Sequence, residues 1–592
     1  MPQLRTDIVA CLLLFILSLL VFSQGLSIHG LEYRDDEIFY YKSTQEMLEG
    51  GNVLSPTYFG EDRFQKPILY YWLVMLSYKV FGINWFGARF VAVVFGGLSV
   101  CLTWLIGKAL FDRKVATLSA VVLMTIPLFF RHAKNVVPDM ALNFFIVGAL
   151  YCSIRFIGGT FGVFGGKFQA DSNQVVYRIL FFVCCALGFM IKGFIALIVP
   201  FLTVALFCLL TRNSKIFAVM KFGHGLLIIF LIICPWFFYM IMRHGQTYLD
   251  YMLVDETKNR LISEGAGNIF LKVAATFFDH SLFYLNVIGS YFAPWSVFLV
   301  GAIPLAFLRV RSRNSGHEGL SMLLIWFFVV FCFFSLIYFS INHYMLVLTT
   351  PFAILVSFFF LENIDQGRWN GGIVLLARKY VPAIIFTFCS LAFSFLFVFL
   401  AGETKWWLLI FLLIYAVTIV RVHKSSNPIT APLSLGILIL VVFAQSPLLE
   451  KAGVTSHAVL QKFAVTVNQA IKKDGKRNAI IGIGSHDIHE KEFQVYFDRK
   501  VIKAAGSGIE ETKERLDRLF ATDDQVFCLI IEKDFDLYLK GPLPGAFETI
   551  QEDFIFRRRM HLDKGFIAAL LKLDQATVNH YLKEKIILIK KT

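Results

Sequence analysis

The 592-residue sequence has little charge for its length. Asp, Glu, Lys and Arg together make up 17% of it, whereas 57% of the residues are hydrophobic. A soluble chain with so few charges could not keep that much apolar surface away from water. The composition therefore excludes an ordinary soluble protein and predicts a polytopic α-helical membrane protein, since each helical span needs about 20 consecutive apolar residues.

The sequence also lacks the motifs of several common site types. It has ten cysteines but no CxxC pair, and only Cys528 lies in the polar C-terminal part. Disulfide frameworks and zinc clusters are therefore not indicated. There is no P-loop, Rossmann glycine fingerprint or GxSxG motif. No cofactor is predicted, and a divalent metal, although left open, has no supporting ligands. A polar loop explains the loosely metal-like residues His486, Asp487, His489 and Glu490 better.

The net charge of +14 comes mainly from short basic loops between apolar segments, so no nucleic acid partner is predicted. Basic clusters mark the cytoplasmic ends of spans. The first apolar segment follows Arg5 and lacks a small-residue cleavage site, so we expect a retained helix. The loops predict thirteen spans and an extracytoplasmic C-terminal region. The spans are 8–24, one within 68–107, 115–131, 139–158, 179–192, 193–211, 222–241, 284–308, 319–340, 343–361, 379–401, 405–421 and 429–447.

This topology makes two further predictions. Residues 68–107 contain two apolar stretches, but parity allows only one crossing, so Ile68–Phe81 should dip into the membrane or lie along it. Residues 25–67 and 242–283 should be extracytoplasmic loops of a membrane domain that covers 1–449.

From about residue 450 the apolar runs shorten to strand length. Ala479–Ile483, Val526–Ile531 and Ile586–Ile589 have the length and composition of strands, and Ile509–Phe520 has helical spacing. Strands that alternate with helices indicate an α/β arrangement. The sequence therefore predicts a small extracytoplasmic α/β domain over 450–592.

Acidic residues stand directly after the first span, where Asp36 and Glu37 follow Asp35. Adjacent carboxylates repel each other, which favours proton uptake, and such a group can act as a general base. The alternative is a solvated acidic loop. The apolar residues that follow, including Tyr40, predict a short amphipathic element at the membrane interface.

Four cations are candidates for binding a phosphate group on the same side of the membrane. Lys66 precedes a proline, Arg131 begins a basic cluster and Lys192 interrupts about thirty apolar residues beside Gly193, where a tight turn is expected. Arg260 ends a charged run in the longest outer loop. A lysine within an apolar segment is costly unless it reaches the interface or pairs with an anion. Snorkelling side chains and a solvated charged loop are the alternatives.

Three more candidates lie at the outer ends of predicted spans. Asp139 begins one span, where capping of the helix is the alternative role. His343 and Tyr344 form an outer tip with Asn342, and a polar helix end is the alternative. The predicted topology places all of these residues on one face, so we expect the acids to face the basic cluster across a cavity.

In their order and spacing, these residues resemble polyprenyl-phosphate-sugar-dependent membrane glycosyltransferases of the aminoarabinose transferase and protein O-mannosyltransferase superfamily, which has the GT-C fold. The resemblance covers essentially the whole chain and is nearest to the bacterial lipid A aminoarabinose transferases. The matching segments are Asp36-Glu37, Glu46–Gly51, Lys66-Pro67 with Tyr71-Trp72-Leu73, Pro138-Asp139, Lys192-Gly193-Phe194 and Asp255–Arg260.

The resemblance implies that a sugar leaves undecaprenyl phosphate, with inversion, for lipid A or another acceptor at the periplasmic face of the bacterial inner membrane. Protein O-glycosylation is an alternative, and a lipid or sugar transporter or flippase is an alternative of another class. The implied catalytic residues are Asp36 as the base, Glu37 and Asp139, and Lys66 holds the donor phosphate. Further candidates for binding the donor phosphate, chosen for their positive charge, are Arg131, Lys192 and Arg260. Candidate substrate contacts are Tyr40, His343 and Tyr344.

The sequence departs from the aminoarabinose branch at three places. Gln65 replaces a glutamate, Phe39 replaces an arginine, and Asn342–Tyr344 replaces a lysine-leucine-proline-tyrosine tip. These changes concern the identity of the sugar and the metal more than the class of reaction.

Overall fold

The protein is described by a computed structural model, which divides into two compact units. One comprises Met1–Gln24, Ser43–Leu391 and Phe411–Ala444, and the other comprises Gly25–Lys42, Ala392–Ile410 and Gln445–Thr592. The domain boundary predicted at 449/450 lies outside the described residues and stays a prediction. Apart from seven isolated helical positions, the structure describes residues 2–27, 34–164, 173–213, 215–252, 269–313, 316–337, 339–362, 380–385, 429–444, 457–474, 479–485, 501–506, 508–522, 525–538, 547–556 and 583–591.

Long apolar helices dominate the first unit. Within the described residues, seven helices are long and apolar enough to cross a membrane, or eight if one bent pair counts as a span. This confirms the predicted polytopic helical protein. The number thirteen stays a prediction, because the predicted spans 379–401 and 405–421 lie mostly outside the described part. The seven are Arg5–Phe22, Trp85–Leu110, Asp139–Phe161, Gln174–Lys192, Phe222–Asp250, His317–Leu336 and Asn342–Leu361.

Further helices connect or complete these spans. The first long helix itself begins at Pro2, and Asn342–Leu348 forms a 3₁₀ turn ahead of Thr349–Leu361. The others in this unit, including the two arms of the bent pair, are Leu69–Phe81, Arg113–Met124, Pro127–His132, Ile195–Leu210, Lys215–Met220, Ile269–Tyr291, Trp295–Phe298, Leu299–Arg311 and Thr430–Ala444, and Arg34–Gly50 joins residues of both units.

The region 68–107 contains one helix of crossing length, as predicted. Leu69–Phe81 has 13 residues and is about 20 Å long, too short for a core of about 30 Å. Gly82, with φ of +80°, ends it. Asn84 then caps Trp85–Leu110 by accepting a hydrogen bond from the backbone N–H of Gly87.

Two predicted continuous spans are wrong, because prolines break them. The predicted span 115–131 divides into Arg113–Met124 and Pro127–His132, since the residue before Pro127 adopts an extended conformation. The predicted span 284–308 covers the end of the first arm and most of the second arm of a helix pair, Val273–Tyr291 and Trp295–Arg311, which is bent by 117°. That bend follows Tyr291, where Pro294 cannot supply an N–H to the helix ladder.

The predicted loop 242–283 is also wrong at both of its ends. The helix Phe222–Asp250 continues beyond 242, and the helix Ile269–Tyr291 begins before 283. Polar residues such as Arg243 and Gln246 explain the error, since they extend the helix beyond its apolar part. The segment 253–268 between these helices lies outside the described residues.

The C-terminal part of the chain contains a five-stranded mixed sheet, which confirms the predicted small α/β fold. Strands β1 (Thr57–Tyr58) and β2 (Glu61–Asp62) form a separate hairpin. The sheet order is β4-β3-β5-β7-β6, with β3 parallel to β4 and β5, and β7 antiparallel to β5 and β6. The strands are β3 (Ala479–Ile483), β4 (Val501–Lys503), β5 (Gln525–Ile531), β6 (Phe547–Phe556) and β7 (Lys583–Lys591).

Helices cover both faces of this sheet. One core joins Phe527, Leu529 and Ile531 to the helix His457–Asp474. The other core joins Cys528 and its neighbours to the helix Ile509–Ala521. Because side chains alternate across a strand, the fully apolar β5 contributes to both cores. Burial raises the pKa of the Cys528 thiol to about 12. The short helix Glu532–Tyr538 follows β5.

Candidate active site

The acidic stretch forms the first turn of the helix Arg34–Gly50. Asp36 is exposed, whereas Glu37 and Tyr40 are buried. The predicted amphipathic element after the acids is therefore a helix. Of the two predicted catalytic acids on this helix, Asp36 is the exposed one. The roles of Asp36, Glu37 and Tyr40 stay predictions.

The C-terminal part of this helix anchors a small hairpin. Strand β1 (Thr57–Tyr58) pairs with β2 (Glu61–Asp62) in antiparallel register. The Glu46 carboxylate accepts hydrogen bonds from Thr57 Oγ1 at 2.7 Å and from the backbone N–H of Phe59 at 2.8 Å. The chain that leaves this hairpin leads directly to Lys66, so Glu46 helps to fix the approach of that lysine.

His244 holds the other side of the hairpin. Its Nε2 lies 2.8 Å from Ser55 Oγ and its Nδ1 lies 3.3 Å from Asp62 Oδ2, while the Phe64 ring packs on it with centroids 4.9 Å apart. We call Ser55, Asp62 and His244 the hairpin anchor. Ser55 is only 1% exposed, so this Ser-His-Asp arrangement is a structural contact rather than an accessible nucleophile. The sequence analysis did not predict the hairpin anchor. The local feature that marks its position is Gly245, next to His244, whose φ of +59° interrupts the helix.

Replacing His244 with alanine should loosen the hairpin. Loss of the imidazole leaves the buried Ser55 hydroxyl without this contact, at a cost of about 1–3 kcal/mol. The amide of Arg63, which donates to the Pro56 carbonyl, should then exchange with deuterium roughly ten-fold faster or more. His224→Ala is the matched control, because this exposed histidine lies on the same helix. Equal exchange in both variants would contradict the anchoring role.

A cavity of about 380 Å³ lies next to this hairpin, within the first unit. Its polar lining includes Gln65 and Lys66 from the hairpin segment, and much of the remaining wall is apolar and aromatic. Volumes of this size, with apolar walls and a few polar groups, are typical of ligand sites. The other polar lining residues are Asp139, Lys192, His343 and Tyr344.

An ion pair lies at the centre of the polar lining. Lys192 Nζ is 2.6 Å from Asp139 Oδ1, and the two side chains are only 12% and 8% exposed. His343 Nε2 lies 3.8 Å from the same carboxylate oxygen. A buried lysine needs an anionic partner, and Asp139 supplies it. The alternative capping role for Asp139 is not observed, because the helix Asp139–Phe161 begins without a side-chain cap.

Gly193 allows the turn that places Lys192. It ends the helix Gln174–Lys192 with φ of +86° and ψ of −150°, a conformation open essentially only to glycine. The helix Ile195–Leu210 begins two residues later. The predicted tight turn is therefore confirmed.

Replacing Gly193 with alanine is expected to destabilise the protein by about 1–3 kcal/mol, because the backbone conformation is strained for any residue with a Cβ atom. Steric crowding does not contribute, since nothing lies within 4 Å of an added Cβ. The midpoint of thermal unfolding is the measurement. Gly223→Ala is the control, because that site has the same free space without a positive φ. A Gly193 variant as stable as the control would exclude the backbone explanation.

Aromatic rings complete the wall around the ion pair. Lys192 Nζ lies 5.7 Å from the Tyr344 ring centroid, and Tyr344 stacks on Phe334 at 4.5 Å. The His343 ring lies 5.9 Å from that of His132, and His132 Nδ1 donates a hydrogen bond to a backbone carbonyl at 2.7 Å. His343 and Tyr344 therefore line the cavity, while their role as substrate contacts stays a prediction. His132, from the basic cluster that Arg131 begins, is an additional neighbour.

Arg131, another predicted cation, is not among the residues that line the cavity. Its guanidinium lies 5.6 Å from the ring centroid of Tyr291, and the Tyr291 hydroxyl accepts a hydrogen bond from Asn342. Arg260 lies outside the described residues. Lys66 and Lys192 are thus the two predicted phosphate-binding residues that line the cavity. Within the described residues, no group of three or more His, Cys, Asp or Glu side chains could hold a metal ion.

A family profile and several curated relatives match part of this chain. The family profile of dolichyl-phosphate-mannose-protein mannosyltransferases matches residues 8–247. An undecaprenyl phosphate-α-4-amino-4-deoxy-L-arabinose arabinosyl transferase of Enterobacter sp. strain 638 is 30% identical over 55% of each chain. Such a protein from Pseudomonas fluorescens Pf-5 is 26% identical over 60% of each chain. The chain thus spans about three fifths of the length of the curated relatives it matches.

The solved structures extend the likeness to the whole fold. The crystal structure of ArnT from Cupriavidus metallidurans bound to undecaprenyl phosphate superposes with a TM-score of 0.65. The superposition covers 99% of this chain and 98% of that one, with 16% sequence identity, which shows a shared fold. The shared fold confirms the predicted GT-C fold, and the profile and the relatives show that this chain is similar to members of the aminoarabinose transferase and protein O-mannosyltransferase superfamily.

Proposed function

We propose that the protein is a membrane glycosyltransferase that moves a sugar from a polyprenyl phosphate, such as undecaprenyl phosphate, to lipid A or another cell-envelope acceptor, with inversion. The observation that carries this proposal is the cavity. Lys66 lines it together with the buried Lys192–Asp139 ion pair, and much of the remaining wall is apolar. A phosphate attached to a hydrocarbon chain needs this combination of a cation and apolar surface.

Lys66 is the proposed contact of the donor phosphate. As the bond between the sugar and the phosphate oxygen breaks, negative charge develops on that oxygen. A fixed cation in an apolar site stabilises such charge strongly. Lys192 adds positive charge to the same wall, and Asp139 keeps it in place through the ion pair at 2.6 Å.

Asp36 is the proposed general base, with Glu37 beside it. The acceptor hydroxyl gives its proton to Asp36 as its oxygen forms a bond to the anomeric carbon. The bond from that carbon to the phosphate oxygen breaks at the same time, and polyprenyl phosphate leaves with the electron pair. Attack opposite the leaving group inverts the configuration. The Asp36 side chain is exposed, which supports it as the group that reaches the acceptor.

The protein is a multi-span membrane protein, and we place it in the bacterial inner membrane. The proposal retains thirteen spans, with the acidic loop and the α/β domain on the periplasmic side. The basic clusters between the spans support this orientation, because they mark cytoplasmic ends. Tyr40, His343 and Tyr344 remain proposed substrate contacts, and Arg131 and Arg260 remain proposed phosphate contacts.

A protein O-glycosyltransferase is the second candidate. The match of residues 8–247 to the dolichyl-phosphate-mannose-protein mannosyltransferase profile favours it. The two candidates share the donor chemistry and differ in the acceptor. A transporter or flippase, the third possibility, would move lipid across vesicles without any sugar transfer.

The acceptor and the sugar can be identified by one experiment. Mass spectrometry of envelope lipids, glycans and proteins is compared between cells with and without the gene, and with a Lys66→Ala variant. The proposal expects a sugar mass on lipid A or another envelope glycan that disappears in both mutants. The same mass on proteins would favour the second candidate, and identical profiles in all strains would contradict both.

A further inference from the structure

We propose that Gln65 is a specificity-determining residue for the donor sugar, and that its carboxamide hydrogen-bonds to two neighbouring hydroxyl groups of that sugar. The proposal rests on the proposed function and concerns the same cavity. It follows from the position of Gln65 beside Lys66, from the unused hydrogen-bonding capacity of its side chain, and from the chemistry of a carboxamide.

Gln65 lies next to the proposed contact of the donor phosphate. The chain bends at Gln65 and Lys66, and both residues line the cavity. In a straight strand, consecutive side chains point to opposite sides, so the bend allows these two neighbours to share one cavity. A sugar is joined to its phosphate through a single oxygen atom, and a residue adjacent to the phosphate contact is therefore well placed to reach the sugar.

The side chain of Gln65 has hydrogen-bonding capacity that the described part of the chain does not use. Its Oε1 atom is buried, and no described residue donates a hydrogen bond to it. A buried acceptor without a donor is unfavourable, and native proteins retain few such groups. At the wall of a cavity, a bound ligand can supply the missing hydrogen atom. The terminal torsion of a glutamine is soft, so its rotation can bring Oε1 to the cavity.

The chemistry of the carboxamide selects the group that it binds. Oε1 accepts hydrogen bonds and Nε2 donates them. The oxygens of a phosphodiester only accept, so a phosphate group leaves Oε1 without a donor. A hydroxyl group both donates and accepts. Two neighbouring hydroxyls satisfy the whole carboxamide, because one donates to Oε1 while the other accepts from Nε2. Gln65 therefore contacts the sugar, and Lys66 contacts the phosphate.

Competition binding tests this role without any acceptor. Purified full-length protein in nanodiscs binds labelled undecaprenyl phosphate, and arabinosyl and mannosyl undecaprenyl phosphates compete with it. The glycosyl donor that binds more tightly is the probe. Gln65→Met keeps the length of the side chain and removes the carboxamide. It should weaken binding of the probe about ten-fold, through the loss of two hydrogen bonds, and change the affinity for undecaprenyl phosphate by less than about two-fold. Gln24→Met, at an exposed site outside the cavity lining, is the control and should bind both as wild type does.

Analogues of the probe that each lack one hydroxyl identify the contact. In wild-type protein, removal of a contacted hydroxyl should weaken binding by about three- to ten-fold. The same removal should have little effect in Gln65→Met, because the partner of that hydroxyl is already lost. Equal losses in both proteins for every analogue would contradict the contact. An equal loss of affinity for the probe and for undecaprenyl phosphate in Gln65→Met would assign Gln65 to the phosphate and overturn the proposal.

Stability separates a binding role from a structural one. Gln65→Met removes a buried polar group that lacks a partner, so the midpoint of thermal unfolding should stay the same or rise. A clear fall would mean that the carboxamide stabilises the fold, which would also overturn the proposal. If wild-type protein binds neither glycosyl donor better than undecaprenol, the proposed function itself fails. Tight binding of a glycosyl donor that Gln65→Met leaves unchanged refutes this inference alone.

Discussion

Replacing Asp139 with alanine is expected to destabilise the protein by roughly 3–5 kcal/mol, because it leaves the ammonium group of Lys192 buried without its partner. The 2.6 Å ion pair and the low exposure of both side chains are the basis for this magnitude. The His343 imidazole also loses the nearby carboxylate. Sugar transfer should fall with stability, since the same change displaces Lys192 from the cavity wall.

A double replacement separates charge from packing. Asp139→Asn combined with Lys192→Met removes both charges, so it should be considerably more stable than Asp139→Ala alone. The exposed pair Lys462–Asp553, at 3.1 Å with the lysine 62% exposed, is the control. Its removal by Lys462→Ala should change stability by about 1 kcal/mol or less. Thermal and denaturant unfolding measure all three variants, and an Asp139→Ala protein as stable as the control would refute the buried ion pair.

Replacing Lys66 with alanine should lower the rate of sugar transfer by roughly 10²–10³-fold, the usual effect of removing one group that stabilises developing negative charge. The fold should survive, because the hairpin contacts of Glu46 and His244 do not involve the Lys66 side chain. Lys66→Arg should retain part of the activity, since it keeps the charge but changes the geometry.

Single-turnover rates with a labelled donor measure this effect. Lys79→Ala is the matched control, because this exposed lysine lies in the last turn of the helix that follows Lys66. The control should transfer sugar at the wild-type rate. Transfer by Lys66→Ala at that rate would exclude Lys66 as the phosphate contact.

Much of the architecture could be predicted because its signals are local. The apolar segments, the positive φ at Gly193 and the strand-length apolar runs of the tail each depend on a few neighbouring residues. The two breaks in the predicted spans also have a local signal, Pro127 and Pro294. The prediction missed these breaks because hydropathy stays high along an apolar segment whether or not its backbone is helical.

The pairings within the site could not be predicted, because they join distant parts of the chain. Asp139 and Lys192 are 53 residues apart, and each was identified as a site residue without its partner. Ser55 and His244 are 189 residues apart, and a histidine at the polar end of a helix gives no sign of such a contact. Strand β4 has three residues, too few for a hydrophobic pattern to be recognised.

The central claim is that this cavity transfers a sugar from a polyprenyl phosphate. The most direct test reconstitutes the purified protein in liposomes with a donor labelled in its sugar and with envelope acceptors, and follows the label by chromatography. The account predicts that label leaves the carrier and appears on an acceptor with wild-type protein, and that folded Asp36→Ala and Lys66→Ala proteins leave it on the carrier. Label that stays on the carrier with wild-type protein, or moves equally fast with both variants, would contradict it.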